Sequence, residues 1–451
     1  MPETPARGAV AMGEYLALMM FPAILAILFL GFPVALSLMG VALVFGLATF
    51  GSATVFLFVD KVDSIASTFV LAAVPLFIFM GSMLERSGIA ERLFEAVHLW
   101  TRRLPGGLAV GTIVMCVIFA ASTGVIGATE TVVGLLAIPV MLKYAYDKGL
   151  ISGTICAGGS LGTIIPPSVV VVVLGPVADV SVGDLFVGMV FPGLIMAALY
   201  ITYILVRCAL RPSDGARIPP SPDDPPLDEK IKITLKALVP PTLLIFAVLG
   251  SIMFGWAAPT EAAGMGAFGA ILLTIFYRTF SLSILHESLI KTIKISSMIM
   301  LILLAGSMFS GVFIATGGVV LTEELIRNSS LPSWGTLALF LGISFLAGFV
   351  LEWISILLIF IPVFLPIVKS LGYDPVWFCI LFLIVIQTSY LTPPMAPAIF
   401  YLRGISPPEI TLQNMFRGVI PFVILQIITL GVVMTFPQTV LWLPSKLLGF
   451  N

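Results

Sequence analysis

Residues 158–168 read Gly-Gly-Ser-Leu-Gly-Thr-Ile-Ile-Pro-Pro-Ser and interrupt a long apolar segment. Proline disfavours helical backbone in the residue before it and lacks an N–H group, so we expect one half-helix to end near Ile165 and another to begin after the proline pair. The carbonyl groups of such a break are ligands for a cation, and the N–H groups of the new half-helix attract an anion. The stretch therefore predicts a broken membrane helix at a binding site.

The same pattern returns in the second half of the chain. Residues 387–395 read Gln-Thr-Ser-Tyr-Leu-Thr-Pro-Pro-Met, and Pro393 follows Pro166 after 227 residues. Four further landmarks recur in the same order at intervals of 223 to 229 residues: Ile138-Pro139 with Ile361-Pro362, Phe191-Pro192 with Ile420-Pro421, Pro33 with Pro259, and Gly81 with Gly306. Paired, proline-interrupted apolar segments of this kind indicate two structural repeats with a binding site at their interface.

Composition places the chain in a membrane. Of its 451 residues, 59% are apolar and 10% are charged, whereas a soluble domain carries roughly 25% charged residues. The first 13 residues lack the basic start and cleavage site of a signal peptide, so we expect the first helix to be retained. The net charge of −1 argues against a nucleic-acid partner.

The predicted fold class is an all-α polytopic membrane protein with two inverted-topology repeats, about ten crossings, two re-entrant hairpins and two broken helices. The first repeat covers residues 1–210, with scaffold helices in 14–84, an interfacial arm at 85–103, a hairpin at 107–143, a broken helix at 149–178 and a helix at 184–207. A cytoplasmic linker follows at 211–236. The second repeat covers 237–451, with scaffold helices in 237–312, a hairpin at 332–369, a broken helix at 373–402 and a helix at 412–437.

Charge supports this topology. Five crossings in each half invert the second repeat relative to the first, and 17 of the 22 Lys and Arg residues then lie on the cytoplasmic side, as the positive-inside rule requires.

Polar side chains cluster at the hairpin tips and the helix breaks. The hydroxyl groups are those of Ser122, Thr123, Thr129, Ser160, Thr163, Ser168, Ser355, Thr388, Ser389 and Thr392. Such groups bind an alkali ion or a carboxylate, although in membrane helices they also bond their own backbone. Among acids, Glu352 is a candidate cation ligand or substrate partner, while Glu130 fits either a functional role or a pairing inside its hairpin. Glu261 fits the start of a helix, and Arg403 fits an interfacial anchor.

Several functional classes lack their motifs. The chain has no phosphate-binding Gly-x-x-x-x-Gly-Lys-Ser/Thr loop and no His-Glu-x-x-His pair. We therefore predict no catalytic residues, no transition-metal site and no organic cofactor.

Three stretches resemble the large membrane subunit of tripartite ATP-independent periplasmic (TRAP) transporters. They are Phe119–Gly124 with Ala128-Thr129, residues 158–168, and Leu391–Pro394. The resemblance implies a bacterial inner-membrane, multi-pass permease that imports small organic acids such as dicarboxylates with Na⁺ as coupling ion. It also implies a periplasmic solute-binding protein, a small four-helix membrane subunit on a separate polypeptide, contact with membrane lipid, and an elevator mechanism.

Position by position, the resemblance implies roles in the sodium and substrate sites for Ser122, Gly124, Gly162, Ser168, Gly348, Glu352 and Thr392. Adding the hydroxyl groups beside the breaks, we expect cation ligands among Ser122, Gly124, Gly162, Thr163, Gly348, Glu352, Ser389 and Thr392. Substrate contacts are expected among Ser122, Thr123, Pro167, Ser168, Glu352 and Pro394. The helix breaks themselves are assigned to Pro166, Pro167, Pro393 and Pro394. The family often has Asp at the second tip, where this chain has Glu352.

Three alternatives stay open at this stage. The first is a stand-alone cation-coupled organic-anion symporter of the same fold that needs no binding protein. The second is the permease of an ATP-driven importer, which the inverted repeat disfavours. The third is an intramembrane enzyme using Glu130 or Glu352 as an acid, which lacks an accompanying nucleophile or metal pair.

Overall fold

A computed structural model describes residues 7–123, 127–219, 224–394, 396–447 and 449, with all their side chains except those of residues 7–15, 122, 123 and 128. Regular structure in these residues is entirely helical. The all-α class is therefore confirmed, as expected for a chain whose backbone polar groups must be paired within lipid.

Eleven α-helices lie in the first half of the described chain: α1 (Arg7–Phe29), α2 (Val34–Phe50), α3 (Ala53–Ser67), α4 (Ala73–Glu85), α5 (Ile89–Thr101), α6 (Gly107–Thr123), α7 (Ala128–Lys143), α8 (Lys148–Ser160), α9 (Val169–Ala178), α10 (Val182–Gly188) and α11 (Val190–Leu210). Ten lie in the second half: α12 (Leu227–Met253), α13 (Pro259–Phe276), α14 (Leu282–Ala315), α15 (Gly318–Asn328), α16 (Ser333–Ala347), α17 (Trp353–Ser370), α18 (Pro375–Leu391), α19 (Pro397–Ile405), α20 (Leu412–Thr435) and α21 (Gln438–Leu447). Short 3₁₀ turns occupy Phe69–Ala72 and Leu161–Thr163.

Six segments of the described chain are long and apolar enough to cross a membrane: α10 with α11, α12, α13, α14, α17 and α20. A seventh is possible if α3 and the segment Phe69–Glu85, which meet at 59°, form one bent span. The predicted ten crossings depend on counting broken helices as spans, so that number stays a prediction. The short helices α3, α15 and α21 were not predicted as separate elements.

The helices form two compact units. One contains Met1–Phe69 and Ser296–Phe378, and the other contains Val70–Ile295 and Cys379–Asn451. The first unit holds α16 and α17, which form the predicted second hairpin. The second unit holds α6 and α7, which form the predicted first hairpin, together with both helix breaks.

Aromatic rings fill the core of the first unit. Phe21 of α1 packs against Phe309, Phe313 and Phe360, with ring centroids between 5.3 and 6.0 Å apart. The hydroxyl of Ser310 on α14 donates a 2.6 Å hydrogen bond to a carbonyl oxygen of α17. These contacts hold α1, α14 and α17 together and fix the hairpin that α17 completes.

The second unit is organised around α8, whose residues from Leu150 to Ser160 are all buried. Small residues let α8 and α20 touch backbone to backbone: an added Cβ at Gly418 would fall 2.1 Å from the carbonyl oxygen of Gly149. Farther along α20, Phe422 packs edge-on against Tyr200 and Tyr203 of α11. The helix that leads into the first break is therefore fixed on several sides.

The predicted linker is anchored where it leaves α11. The amide of Gly106 donates to the carbonyl of Gly215 at 3.0 Å, and the amide of Asp147 donates to the carbonyl of Asp214 at 2.9 Å. Arg207 forms ion pairs with both Asp147 and Asp214, at 2.9 and 2.8 Å. The start of the linker thereby joins the beginnings of the first hairpin and of α8.

Candidate functional site

The first helix break separates α8 from α9. After Ser160 the backbone makes one 3₁₀ turn, and helical structure resumes only at Val169. Pro166 and Pro167 lie inside this interval, joined by a cis peptide bond, and every residue of the interval is buried. Gly162, Thr163 and Pro167 are thus held in non-α-helical backbone in the protein interior, where their carbonyl groups are not used by an α-helix.

The second break separates α18 from α19. Helix α18 ends at Leu391 and α19 begins at Pro397, with Pro393 and Pro394 between them, again joined by a cis peptide bond. Unlike the first pair, these two prolines are exposed, and Thr392 is half-buried. The second break is therefore the more accessible of the two.

Buried side chains join the two broken helices. The hydroxyl of Thr163 lies 2.8 Å from the side-chain oxygen of Gln387 on α18, and the amide nitrogen of Gln387 donates to the hydroxyl of Ser160 at 3.3 Å. Gln426 of α20 donates to the same hydroxyl at 3.4 Å. All four side chains are at most 2% exposed. The broken helices, which are far apart in sequence, therefore meet at a closed polar cluster.

This cluster contains residues that the sequence reasoning missed. Gln387 was noted only as part of the second break, and Gln426 was not singled out. The available signal was the presence of an amide side chain inside a strongly apolar helix, since a buried amide must find partners. Local sequence does not say which partners these are.

The hydroxyl proton of Thr163 is used in hydrogen bonding to the protein itself. Two acceptors lie 2.8 Å from it, the side chain of Gln387 and the carbonyl oxygen of Ser160. A hydroxyl has one proton and two lone pairs, so this group has no further proton to give. Toward a ligand it can act only as an acceptor or as a metal ligand.

Ser389 and Thr392 share this property. Each donates to a carbonyl oxygen of its own helix, three or four residues earlier, at 2.7 Å. Such back-bonding is common for Ser and Thr in helices. It leaves the oxygen lone pairs for a positively charged partner, which suits the predicted role of both residues as cation ligands.

Ser168 differs from these three. It precedes the first residue of α9 in extended backbone, its side chain makes no capping bond, and its buried hydroxyl has no hydrogen-bond partner. Its proton is therefore free to be donated, at the end of a helix where the dipole favours an anion. The division between cation ligands and a substrate contact stays a prediction.

The first hairpin places Glu130 in the interior. Glu130 is 0% exposed, and its Oε2 accepts a 2.7 Å hydrogen bond from the amide of Gly127. Gly127 has a φ of +87° and lies against the ring of Tyr401, so a side chain there would be strained and would collide. Among the predicted site residues of this tip, Gly124 lies outside the described residues, as do the side chains of Ser122 and Thr123.

The second hairpin belongs to the other unit. Gly348 follows α16, and Glu352 precedes the first residue of α17 with an exposed side chain that makes no capping bond. The nearby Ser355 is buried and its hydroxyl has no partner. Whether these residues join the two breaks stays a prediction.

Two other charged candidates have local partners. Glu261 accepts a 2.8 Å hydrogen bond from the amide of Ala258, at the start of α13. Arg403 donates to the carbonyl oxygen of Ile410 at 2.8 Å. Both bonds fit the local structural roles considered for these residues.

The chain matches a family model across most of its length. Residues 21–439 match the family described as "Tripartite ATP-independent periplasmic transporter, DctM component". A C4-dicarboxylate TRAP transporter large permease protein from Pseudomonas aeruginosa is 28% identical over 88% of this chain and 93% of its own. A sialic acid TRAP transporter large permease protein from Vibrio cholerae is 29% identical over 95% of this chain and 98% of its own.

A solved structure shares the fold. The crystal structure of the Alcanivorax borkumensis YdaH transporter superposes with a TM-score of 0.62, covering 87% of this chain and 89% of that chain, at 14% sequence identity. At this level of identity the likeness concerns the fold alone.

Proposed function

The chain belongs to the DctM component family of tripartite ATP-independent periplasmic transporters, and from this premise we propose that it is the sodium-coupled permease of an importer for small organic anions. Membership of the family makes it a multi-pass inner-membrane permease of a secondary transporter rather than an enzyme. Permeases of this family work with a periplasmic binding protein and usually a small membrane subunit. Sodium coupling, the anionic substrate and the elevator movement are our proposals.

The contact between Ser160 and Gln387 carries the proposal. These residues are 227 positions apart, the same interval that separates Pro166 from Pro393. If the halves are inverted repeats, Ser160 and Gln387 are equivalent positions. Two equivalent residues touch each other only close to the axis that relates the repeats, so their 3.3 Å contact favours a paired arrangement of the breaks.

The hydroxyl groups beside the breaks suit a cation and an anion at adjacent points. Thr163, Ser389 and Thr392 present lone pairs, which together with the unwound carbonyl of Gly162 are the hard oxygen ligands that an alkali ion prefers. Ser168 offers its proton at the start of α9, where a carboxylate gains from the helix dipole. In a low-dielectric interior the bound cation would offset the charge of the anion, and this coupling would link uptake to the sodium gradient.

The substrate is proposed to carry a carboxylate. The relatives named above are described as transporters of a C4-dicarboxylate and of sialic acid, and both compounds bear carboxylate groups. Because Thr163 and Gln387 tie the two broken helices together, we expect those helices to move as one body in an elevator cycle.

Uptake into proteoliposomes tests the function. The chain is reconstituted with its small membrane subunit, and the cognate binding protein is loaded with a labelled C4-dicarboxylate or sialic acid. We expect uptake to require an inward sodium gradient and to be insensitive to ATP. Uptake that is unchanged when potassium replaces sodium would contradict sodium coupling, and uptake without the binding protein would instead favour a stand-alone symporter.

A further inference from the structure

Glu130 is a buried acid that the proposed sodium and substrate sites do not use. Its side chain is 0% exposed, and its carboxyl group lies against Gly159 of α8, where an added Cβ would fall 2.4 Å from Glu130 Cδ. One carboxyl oxygen, Oε2, accepts from the amide of Gly127. The other, Oε1, is buried and has no hydrogen-bond partner among the described residues.

The surroundings of this carboxyl group contain no compensating charge. Among the described residues, no Lys, Arg or His forms an ion pair with Glu130. The titratable side chains that face it are the buried thiols of Cys116 on α6 and Cys156 on α8. Tyr401 of α19 covers the adjacent Gly127.

Helix α5 also packs against α7, but its charged groups are engaged elsewhere. Arg92 lies over the ring of Tyr277, 4.6 Å from the centroid, and the ring of His98 lies against that of Phe94 at an interplanar angle of 41°. Glu91 and Glu95 carry the same sign of charge as an ionised Glu130 and could not neutralise it. On α19, which also packs against α7, Arg403 donates to the carbonyl oxygen of Ile410. Because the described residues supply no counter-charge for Glu130, we expect a bound ion to neutralise it.

The surroundings of the Glu130 carboxyl group do not suit a sodium ion. An alkali or alkaline-earth ion is held by several hard oxygens at once, whereas the groups identified near the Glu130 carboxyl are the methylene of Gly159 and the two thiols. A proton needs only the carboxyl oxygen itself. It removes the charge completely, so that the cost of burying an ionised carboxylate is replaced by the smaller cost of a neutral acid.

We propose that Glu130 is a proton-binding site, which holds an exchangeable proton at neutral pH and makes the proton a second ion bound by this transporter. The proton resides on Oε1, while Oε2 keeps its bond from Gly127. Proton exchange requires water to reach Oε1, and thus a local separation of α7 from α8 at Gly159. A hairpin neutralised in this way carries no uncompensated charge through the low-dielectric interior. Its relevance to transport rests on the proposed function, but the site itself does not.

The chain supplies a matched control. Glu261 occupies the same position in α13 that Glu130 occupies in α7 and bonds the amide three residues earlier at 2.8 Å, but its side chain is exposed. Glu130→Gln and Glu261→Gln both keep an oxygen for that bond and remove the ionisable group. The two positions therefore differ in the burial of the side chain, whereas both side chains cap the start of their helix.

Infrared difference spectroscopy on the purified chain tests the site without substrate or sodium. At neutral pH we expect the wild-type-minus-Glu130→Gln spectrum to contain the carbonyl band of a protonated carboxylic acid, and the wild-type-minus-Glu261→Gln spectrum to lack that band. Transfer to D₂O should shift the acid band. A carboxylate band for Glu130, or an acid band that never shifts in D₂O, would overturn the proposal. Failure of sodium-dependent uptake would contradict the proposed function and leave this result unaffected.

Discussion

Thr163 and Gln387 are joined by a 2.8 Å contact between the threonine hydroxyl and the glutamine side-chain oxygen, and this contact links the two broken helices. Both side chains are buried, and both lie within one or two turns of a proline pair. In a buried site, a group whose partner is removed pays the desolvation cost without compensation. The contact is therefore expected to matter for stability as well as for the shape of the site.

A double-mutant cycle on Thr163→Val and Gln387→Leu measures this contact. Each single variant should lower the free energy of unfolding by about 1–3 kcal/mol, and the double variant by less than the sum, with a coupling of about 1 kcal/mol. The measurement is denaturation in detergent. Gln413→Leu, an exposed glutamine on α20, is the control, and strictly additive losses would show that the contact is not made.

Thr392→Val should weaken sodium binding while preserving the fold. The variant removes a lone pair beside the second break, and we expect the sodium concentration for half-maximal uptake to rise about 10-fold, or about 1.4 kcal/mol. Thr435→Val is the matched control, because Thr435 also bonds the carbonyl four residues earlier, at 2.8 Å, but is exposed at the end of α20. Equal sodium dependence in both variants would remove Thr392 from the cation site.

Ser168→Ala should affect the substrate more than the cation. Loss of a hydrogen bond to a charged group costs about 1.5–3 kcal/mol, so the half-saturating substrate concentration should rise by about 10-fold or more. Because the Ser168 hydroxyl has no protein partner, its removal should not lower thermal stability. A fall in melting temperature with unchanged uptake would indicate a structural role instead.

Gly418→Ala should separate α8 from α20. The new Cβ would fall 2.1 Å from a backbone oxygen, which cannot move as a side chain can, and overpacking of this kind costs about 1–3 kcal/mol. Gly431→Ala lies on the same helix with nothing within 4 Å of the new methyl group. Thermal unfolding should show a lower melting temperature for the first variant only; equal values would contradict the close helix contact.

The buried histidine of α5 predicts a dependence of stability on pH. Burial, and secondarily the charge of Arg102, lower the pKa of His98 from 6.5 to about 4. The folded state therefore keeps the ring neutral while the unfolded chain takes up a proton. The contribution of His98 to the free energy of unfolding is present in full above about pH 6.5 and is lost as the pH drops toward 4. Between about pH 7.5 and pH 5 the loss should be about 2 kcal/mol.

Melting temperatures of His98→Leu measured at the same two pH values check this. The variant should lose less stability on acidification than the wild-type protein does. His286→Gln, which removes an exposed histidine of α14, is the control. An unchanged dependence in His98→Leu would assign the acid sensitivity to other groups.

Proline patterns predicted part of this fold, but tertiary contacts decide whether a given proline pair ends a helix. Pro240 and Pro241 lie inside the uninterrupted helix α12, whereas the pairs at 166 and 393 lie between helices. A proline pair alone therefore does not decide where a helix ends. At the first break the flanking Ser160 and Thr163 find partners on α18 and α20, and those distant partners are invisible in the local sequence.

The candidate site was predictable to a similar extent. Residue type and position pointed to Thr163 and Ser168, because hydroxyl groups beside a break are potential ligands. The direction in which each hydroxyl proton points, which distinguishes an acceptor from a donor, depends on neighbours that only the structure supplies. Gln426 was missed for the same reason, since it lies far from either break along the chain.

The anchoring of residues 211–218 has a practical consequence. Their described backbone bonds to other segments run to Arg102, Gly106, Asp147 and Arg207, all in the first half of the polypeptide, and α12 starts only at Leu227. The joint between Pro225 and Pro226 is thus the natural place to insert a fluorescent reporter, or to divide the gene into two separately translated pieces. A division at this point would break none of the backbone hydrogen bonds described for residues 211–218.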